Sequence, residues 1–348
     1  MSRKSLAVVY RPRSFSEVCE QQEIITILEN QIRTKTFGGS FLFVGPAGCG
    51  KTTTARILAN EINEGKGTPI EIDGASNNGV DNVRDIINRS LKKSFDSEYK
   101  VFIVDECHMI TVAGWNAFLK TLEEPPAKTI FIFCTTDPQK IPATIISRVP
   151  RFDFQRISFE GIVNRLKYVI EKENENQDSK FDKITYEDGA IQYIAKTADG
   201  GMRDSLTMLD KCLSLNNNLT LENVVKSLNS VNYDIMFDIV NNILDYKESE
   251  VIATVESLYK EGVDLKLFIK QLTLFVLDIR KYQLFQDFKY IQIPQIFEDK
   301  LKNVTNVDSG FYKFLLKELN NLSNTIKWEH NIKPMVELEL MLLCKEGN

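Results

Sequence analysis

The chain has 348 residues, of which 43% are hydrophobic and 26% charged, so it is long enough for two or three globular domains, each with its own core. A net charge of −5 excludes a basic coat that binds nucleic acid over the whole surface, and any such contact is expected to be local. The opening MSRKSLAVVYRP lacks the apolar stretch of a signal peptide, and no apolar run approaches the ~20 residues of a membrane span, so we expect a cytoplasmic protein with no membrane contact.

The first predicted elements surround a glycine-rich run. A proline-interrupted segment, Tyr10 to Phe15, precedes a helix predicted from Glu20 to about Lys35. The apolar residues Phe41 to Val44 predict a buried strand, GPAGCGKT occupies 45–52, and a helix is predicted over 53–62. This order of strand, glycine-rich turn and helix is the context that a G-x-x-x-x-G-K-[ST] match requires, so we interpret the run as a P-loop.

The spacing of the P-loop predicts how it binds nucleotide. Its three glycines allow a tight turn, so that backbone N–H groups converge on phosphate oxygens at the positive end of the helix. Lys51 is placed to contact the β- and γ-phosphates, and the Thr52 hydroxyl to bind Mg²⁺, so ATP and Mg²⁺ are the predicted cofactors. The candidate phosphate-binding residues are Gly45, Pro46, Ala47, Gly48, Cys49, Gly50, Lys51, Thr52 and Thr53.

Strands and helices continue to alternate up to about residue 157. Buried strands followed by amphipathic helices predict a parallel sheet of five strands, covered on both faces. Besides the strand before the P-loop, strands are predicted at Pro69–Ile72, Val101–Val104, Ile130–Asp137 and Phe152–Gln155, and helices at Asp81–Leu91 and Ala113–Glu124.

The run VFIVDE supplies a second set of catalytic groups. Asp105, at the end of a buried strand, is placed to hold the Mg²⁺ hydration shell, and Glu106 to orient and deprotonate the attacking water. His108, one of two histidines, is interpreted as structural because this chemistry needs no histidine. Thr135 and Thr136 end the next predicted strand, as a simple cap or as hydroxyls that contact the γ-phosphate.

Beyond Ser158 we find no further strand pattern. Helices are predicted at 159–174 and, with a break at Gly200–Gly201, over 187–215; 173–180 is predicted to be a loop and 216–220 a linker. Six more helices are predicted at about 222–231, 234–245, 248–261, 264–286, 308–326 and 334–345.

The predicted helix that starts at Asp264 carries apolar residues at nearly heptad spacing. Such a stripe usually forms the core face of its own domain. A second interpretation, left open by the sequence, is that the helix also packs on copies of itself in an assembly. The stripe consists of Leu265, Phe268, Ile269, Leu272, Phe275, Val276 and Ile279.

Two arginines, Arg148 in ISRVPRF and Arg203 in GGMRDS, lie in turn-like contexts near helix starts. An isolated arginine is usually a solvated surface group, but an arginine that meets the transition-state charge accelerates phosphoryl transfer by roughly 10³–10⁵-fold. Spacing alone does not select these two.

Together, YRP, GPAGCGKT, DECHM, KTLEEPP, TTDPQKIPATIISR and GGMRDSL resemble the ATPase subunit of a sliding-clamp loader, in particular the bacterial DNA polymerase III gamma/tau family. The resemblance is specific over 10–210 and architectural beyond. It implies an α/β AAA+ ATPase core at 1–157, a small helical lid at 158–218, and an all-α collar at 219–348 that holds five subunits in a ring of one or several subunit types.

The resemblance also implies roles for individual residues. Arg148 corresponds to the arginine finger, which acts in trans on ATP bound to the neighbouring subunit. Thr136 corresponds to sensor 1 and Arg203 to the lid arginine of sensor 2. The segment that borders the adenine corresponds to Tyr10, Arg11, Pro12 and Val18, and the residues that precede a helix pointing at the DNA backbone are Ser76, Asn77 and Asn78.

The chain departs from the family at three points. The family usually carries a four-cysteine zinc module after the P-loop helix, but only Asn63 to Thr68 fill that gap, and the six cysteines include no C-x-x-C pair, so we expect reduced packing thiols and no zinc. The arginine-finger triplet ends in Val149 instead of cysteine, and Glu20 stands where glycine is common. A compact, zinc-free form is compatible with a bacterial or a phage origin, and in the latter case with the cytoplasm of the host.

The leading hypothesis is therefore a clamp-loader subunit that works with other loader subunits, the sliding clamp and primer–template DNA. A branch-migration helicase or helicase loader is a second enzyme hypothesis, although no aromatic pore loop is evident. A third is a structural subunit that binds ATP and barely hydrolyses it, against which the Asp105–Glu106 pair argues.

Overall fold

In the computed structural model, which describes residues 4–177, 181–228, 233–306, 308–327, 329 and 331–344, the chain divides into two compact units. The first comprises Met1–Val169 and Ala198–Thr207, and the second Ile170–Thr197 and Met208–Asn348. The predicted division into core, lid and collar at 157 and 218 stays a prediction.

The first unit is built on a five-stranded sheet in the order β2-β3-β4-β1-β5, with every neighbouring pair parallel. This confirms the predicted parallel sheet of the α/β class. The strands are β1 (Ser40–Val44), β2 (Ile70–Asp73), β3 (Lys100–Asp105), β4 (Thr129–Thr135) and β5 (Arg151–Asp153). The helices that begin before residue 169 are α1 (Leu6–Val9), α2 (Gln22–Thr34), α3 (Lys51–Ile62), α4 (Val80–Ser90), α5 (Val112–Glu123), α6 (Ala143–Ile146) and α7 (Phe159–Glu175).

Both faces of the sheet are buried because successive residues of each strand point to opposite sides. On one face Phe41, Phe43 and Ile103 pack with residues of α2 and α3. On the other face Leu42, Val104 and their neighbours pack with α4 and α5. The near-continuous apolar runs that predicted the strands are thus explained by burial on two sides.

The carboxyl ends of β1, β3 and β4 lie side by side, since β4 pairs with both other strands. Val44 is in register with Thr135, and Val104 with Phe133. The P-loop, the Asp105–Glu106 pair and the Thr135–Thr136 pair follow these strand ends. An open parallel sheet binds ligands at such an edge, where the strand order reverses.

The remaining elements follow α7 in the chain. Their bounds are β6 (Thr185–Tyr186), α8 (Asp188–Thr197), α9 (Met202–Leu213), β7 (Asn218–Leu219), α10 (Leu221–Ser227), α11 (Tyr233–Leu244), α12 (Glu248–Lys260), α13 (Leu265–Phe285), α14 (Glu298–Thr305), α15 (Ser309–Thr325) and α16 (Ile332–Leu343). In the second unit, α11 to α16 share one apolar core, which includes every residue of the predicted stripe on α13. The interpretation of that stripe as a core face is confirmed.

Several boundaries differ from the sequence prediction. The expectation of no strand beyond Ser158 was wrong, because β6 and β7 form a small parallel pair, with β7 inside the predicted linker. Two residues per strand are too few to show alternation. Helix α14 was missed because its eight residues bury only Leu301 and Val304. Helix α16 begins before Pro334, since proline is tolerated in the first turn of a helix.

Other predicted ends shift or leave the described part of the chain. Helix α7 continues to Glu175, into the predicted loop at 173–180, whose last three residues lie outside the described residues. The ends predicted at 231 and 345 also lie outside them. Across the described ranges, every helix is too short or too polar to span a bilayer.

Candidate nucleotide-binding site

The P-loop connects β1 to α3, and its glycines are required by close approach and by backbone conformation. A Cβ atom on Gly45 would lie 2.5 Å from the carbonyl oxygen of Phe154, which no side chain tolerates. Gly50 has φ = +104°, a left-handed conformation that favours glycine, and it precedes the first turn of α3. The loop therefore has the tight turn that directs backbone N–H groups to one point.

Lys51 begins α3, and its side chain is almost fully buried within the loop. Its Nζ donates to the carbonyl oxygens of Gly45 at 2.8 Å and of Pro46 at 2.7 Å. An ammonium held in this way carries a positive charge to the point where the loop amides converge. Anionic phosphate groups are the ligands that such an arrangement binds.

Thr52 and Asp105 bring two hard oxygen ligands together. The Thr52 hydroxyl donates to Asp105 Oδ2 at 2.9 Å, across from α3 to the end of β3. Mg²⁺ binds such oxygens while keeping several waters and taking others from substrate phosphates. The pair therefore fits the predicted magnesium site.

Glu106 follows directly in a left-handed conformation, with φ = 45°. Its backbone N–H donates to Asp105 Oδ1 at 3.0 Å, and its carboxylate Oε2 accepts from Thr136 Oγ1 at 3.1 Å. His108 Nδ1 lies 3.2 Å from the same Oε2. His108 was predicted to be structural because the chemistry needs no histidine, and no motif links it to the carboxylate of Glu106.

These groups surround a cleft of about 280 Å³, here called the P-loop cleft, which lies entirely within the first unit. Most of the predicted nucleotide-binding residues line it. They are Tyr10, Arg11, Pro12, Val18, Ala47, Gly48, Cys49, Gly50, Lys51, Thr52, Thr53, Asp105, Glu106 and Arg203. The lining residues that the sequence did not indicate are Ala7, Glu17, Cys19, Ile157, Arg165, Met202, Asp204 and Leu206.

Arg165 is the most informative of the residues that sequence reasoning missed. Its Nη2 donates to the carbonyl oxygen of Tyr10 at 2.8 Å, and its guanidinium lies 5.1 Å from the centre of the Tyr168 ring. It thereby fixes the Tyr10–Pro12 segment at the edge of the cleft. Arg165 lies in the middle of α7 and belongs to no motif, so the sequence did not predict this contact.

Glu20 adopts the backbone conformation that a glycine would adopt there. Glu20 and Gln21 both have φ = 60°, so α2 begins at Gln22 instead of at the predicted Glu20. The Glu20 carboxylate accepts from the backbone N–H of Ser158 at 3.0 Å and also from its hydroxyl. These bonds offset the cost of a left-handed non-glycine residue, roughly 1–2 kcal/mol. Glutamate can therefore replace the common glycine at this position without a change of the backbone conformation.

Arg203 reaches the cleft because α9 starts against the P-loop. The backbone N–H of Met202 donates to the carbonyl oxygen of Gly48 at 3.1 Å. This contact places Arg203 beside the loop, among the residues that line the cleft. Of the two arginines singled out in the sequence, Arg203 alone lines this cleft.

Arg148 lies elsewhere, after the short helix α6. Its Nε donates to Glu123 Oε1 at 2.7 Å and its Nη1 to the carbonyl oxygen of Thr144 at 2.7 Å. Its side chain is 38% exposed. Within a single chain, Arg148 is therefore not part of the P-loop cleft.

Ser76, Asn77 and Asn78 form the loop between β2 and α4, away from the cleft. Asp73 organises this loop: it accepts from the Ser76 hydroxyl at 2.6 Å and from the backbone N–H of Ala75 at 3.1 Å. The hydrogen bond from Ser76 holds the pKa of the Asp73 carboxyl below its ordinary value. The contact of this loop with DNA stays a prediction.

The cysteines are free thiols, and burial raises the pKa of Cys107 and of Cys134 well above the ordinary value of a thiol. Thiols that remain protonated are poor metal ligands and poor nucleophiles. In the ranges that the structure describes, no three or more side chains of His, Cys, Asp or Glu are grouped so that they could hold a metal ion by themselves.

The parallel sheet and the P-loop cleft together define a P-loop fold of the AAA+ type. In agreement, the Thermotoga maritima RuvB Holliday junction branch migration motor superposes with a TM-score of 0.51, over 73% of this chain and 86% of that one, at 17% identity. At this identity the similarity concerns the fold alone.

Within that class, the chain is similar in sequence to the DNA polymerase III gamma and tau subunits. Residues 68–158 match the family model "DNA polymerase III, delta subunit", and residues 161–218 match "DNA polymerase III clamp loader subunit, ATPase lid domain". The tau subunit of Bacillus subtilis is 32% identical over all of this chain and 64% of its own length. The gamma/tau subunit of Mycoplasma genitalium is 30% identical over 90% of this chain and 55% of its own length. The chain thus spans less than two thirds of these relatives.

Proposed function

We propose that the chain is the ATPase subunit of a sliding-clamp loader, which couples ATP binding and hydrolysis to the loading of a ring-shaped clamp onto primer–template DNA. The observation that carries this proposal is the convergence of Lys51, Thr52, Asp105 and Glu106 in one cleft of a chain homologous to gamma and tau subunits. Phosphoryl transfer requires positioning and charge stabilisation above all, and these residues supply both.

The binding step assigns a role to each side of the cleft. The loop amides and Lys51 hold the triphosphate, and the Tyr10–Pro12 segment with Val18 borders the base. Thr52 and Asp105 would hold Mg²⁺, which when bound neutralises charge on the phosphates. Arg203, at the start of α9, contacts the phosphates and reports their presence to the lid.

The chemical step needs groups from two chains. Glu106 takes a proton from the attacking water, and Thr136 holds the Glu106 carboxylate and senses the γ-phosphate. Arg148, which lies outside the cleft of its own chain, meets the transition-state charge in the cleft of the neighbouring subunit. ATP is then hydrolysed only where two subunits are seated together.

The second unit supplies a surface for this assembly. Helix α13 has, besides its core face, exposed apolar side chains at Leu267, Leu274, Leu284 and Phe285. Exposed apolar residues repeated along one helix are typical of a surface that packs on another chain. We place the contact with other loader subunits on this exposed face of α13. The five-membered ring then contains one subunit type or several.

The contact with DNA completes the proposal. The backbone amides at the N-terminus of α4, which follows Ser76, Asn77 and Asn78, hold phosphates of the DNA backbone. Such a contact needs no basic coat, so it is compatible with the net charge of −5. We place the protein in the cytoplasm, because its relatives are bacterial DNA polymerase III subunits.

Lys51→Ala tests the nucleotide-binding site itself. We expect the dissociation constant for ATP to rise about tenfold to a hundredfold, because a charge-assisted contact to phosphate contributes about 1.5–3 kcal/mol. Binding of a fluorescent ATP analogue measures this. Lys128→Ala is the matched control, since that lysine lies at the amino end of β4 with its side chain 63% exposed. Unchanged affinity in Lys51→Ala would exclude the assigned cleft.

A further inference from the structure

His108 contacts the carboxylate of Glu106 from a short helical turn, Cys107–Met109, that follows β3. Its Nδ1 lies 3.2 Å from Glu106 Oε2 and 3.1 Å from Thr135 Oγ1. The His108 side chain is only 11% exposed, whereas that of Glu106 is 42% exposed. A largely buried ring therefore supports a carboxylate that extends into the cleft.

The position of the His108 ring is itself fixed. Thr135 is fully buried, and its hydroxyl oxygen accepts from the backbone N–H of Asp137 at 3.0 Å. A carboxylate can only accept hydrogen bonds, so the approach of Nδ1 to Glu106 Oε2 is favourable in the tautomer that carries a proton on Nδ1. In that tautomer the Nδ1–H donates to the Thr135 oxygen, whose other lone pair accepts from Asp137.

Two side chains from different elements thus contact one oxygen of Glu106. Thr136 Oγ1, at the end of β4, donates to Oε2 at 3.1 Å, and His108 approaches the same atom from the turn after β3. Glu106 itself has a left-handed backbone, φ = 45°, which the neighbouring contacts must maintain. The arrangement restricts rotation of the carboxylate and leaves Oε1 as the oxygen that accepts a proton.

We propose that His108 is a positioning residue that holds Oε2 of Glu106, so that Oε1 faces the water that attacks ATP. The inference rests on the proposed function, in which Glu106 is the base. In that step the water oxygen bonds to the γ-phosphorus, and its proton passes to Glu106 Oε1. The bond from the phosphorus to the β–γ bridging oxygen breaks, and its electron pair leaves with ADP.

Two substitutions at His108 separate this role from simple packing. His108→Leu removes the donor at similar bulk, and His108→Asn places an amide N–H near the position of Nδ1. In the assembled loader with clamp and DNA, we expect kcat of His108→Leu to fall about tenfold to a hundredfold with KM and ATP-analogue affinity unchanged, as for a misplaced catalytic group. His108→Asn is expected to recover most of kcat.

A second variant keeps the test sound if His108→Leu disturbs the local fold. Thr136→Val removes the other donor to Oε2, and we expect the loss in the double variant with His108→Asn to be close to that of Thr136→Val alone. The proposal would be overturned if the kcat of His108→Leu equalled that of the natural chain. It would also be overturned if the kcat of His108→Asn were as low as that of His108→Leu.

Glu106→Gln distinguishes the two levels of inference. If Glu106→Gln abolishes turnover and His108→Leu does not affect it, the role of His108 is refuted while the proposed function stands. If Glu106→Gln itself keeps full turnover, the proposed function is refuted together with everything built on it.

Discussion

Arg148→Ala is expected to bind ATP as the natural chain does and to hydrolyse it about 10³-fold or more slowly in the assembled loader. The expected size is that of an arginine which stabilises the transition-state charge, roughly 10³–10⁵-fold. Binding is expected to be intact because Arg148 does not line the P-loop cleft of its own chain; it pairs instead with Glu123. That pair, with side chains 38% and 49% exposed, is weak enough for the guanidinium to exchange its partner for a phosphate.

The measurement is phosphate release with clamp and primer–template DNA present, together with ATP-analogue binding to the same preparation. Arg151→Ala is the matched control, because Arg151 lies three residues away and also pairs with a single carboxylate, that of Asp153. We expect little change in that control. Normal turnover of Arg148→Ala would refute its role in trans, and a loss of ATP binding would point to a structural role.

Glu106→Gln is expected to lower kcat about 10²–10⁴-fold, the contribution of a positioned general base, with ATP binding retained. Glutamine has nearly the same shape, and its amide oxygen still accepts from Thr136, but it takes no proton from water. Single-turnover phosphate release separates this chemical step from product release.

Glu17→Gln is the matched control for that variant. Glu17 is another carboxylate that lines the P-loop cleft, and its Oε2 accepts from the backbone N–H of Arg13 at 2.8 Å. We expect its turnover to stay close to that of the natural chain. A large loss in Glu17→Gln with full activity in Glu106→Gln would move the base to Glu17.

The sheet and the P-loop were predictable because they depend on local patterns. Apolar runs such as Phe41–Val44 indicate strands buried on both faces, and the glycine spacing at 45–52 allows few other conformations. Thr52 and Asp105 are 53 residues apart in the chain, yet both were predicted to serve one Mg²⁺, because P-loop chemistry requires a second set of groups and the strand ending in Asp105 supplies it.

Residues that act through contacts between distant segments were not predictable. Arg165 contacts the carbonyl oxygen of Tyr10, 155 positions earlier, and neither belongs to a pattern that requires the other. His108 was interpreted as structural because the chemistry needs no histidine, and its contact with Glu106 depends on a left-handed backbone at Glu106 that no propensity indicates. The strands β6 and β7, of two residues each, are likewise fixed by pairing and not by composition.

The most direct test of the two-chain site is the ATP turnover per chain across a dilution series, with the assembly state measured by sedimentation velocity in the same buffer. We expect the turnover per chain to follow the assembled fraction and to fall to a small residual rate in the monomer, since Arg148 lies outside the cleft of its own chain. A monomeric preparation that hydrolyses ATP as fast as the assembled one would contradict the shared site.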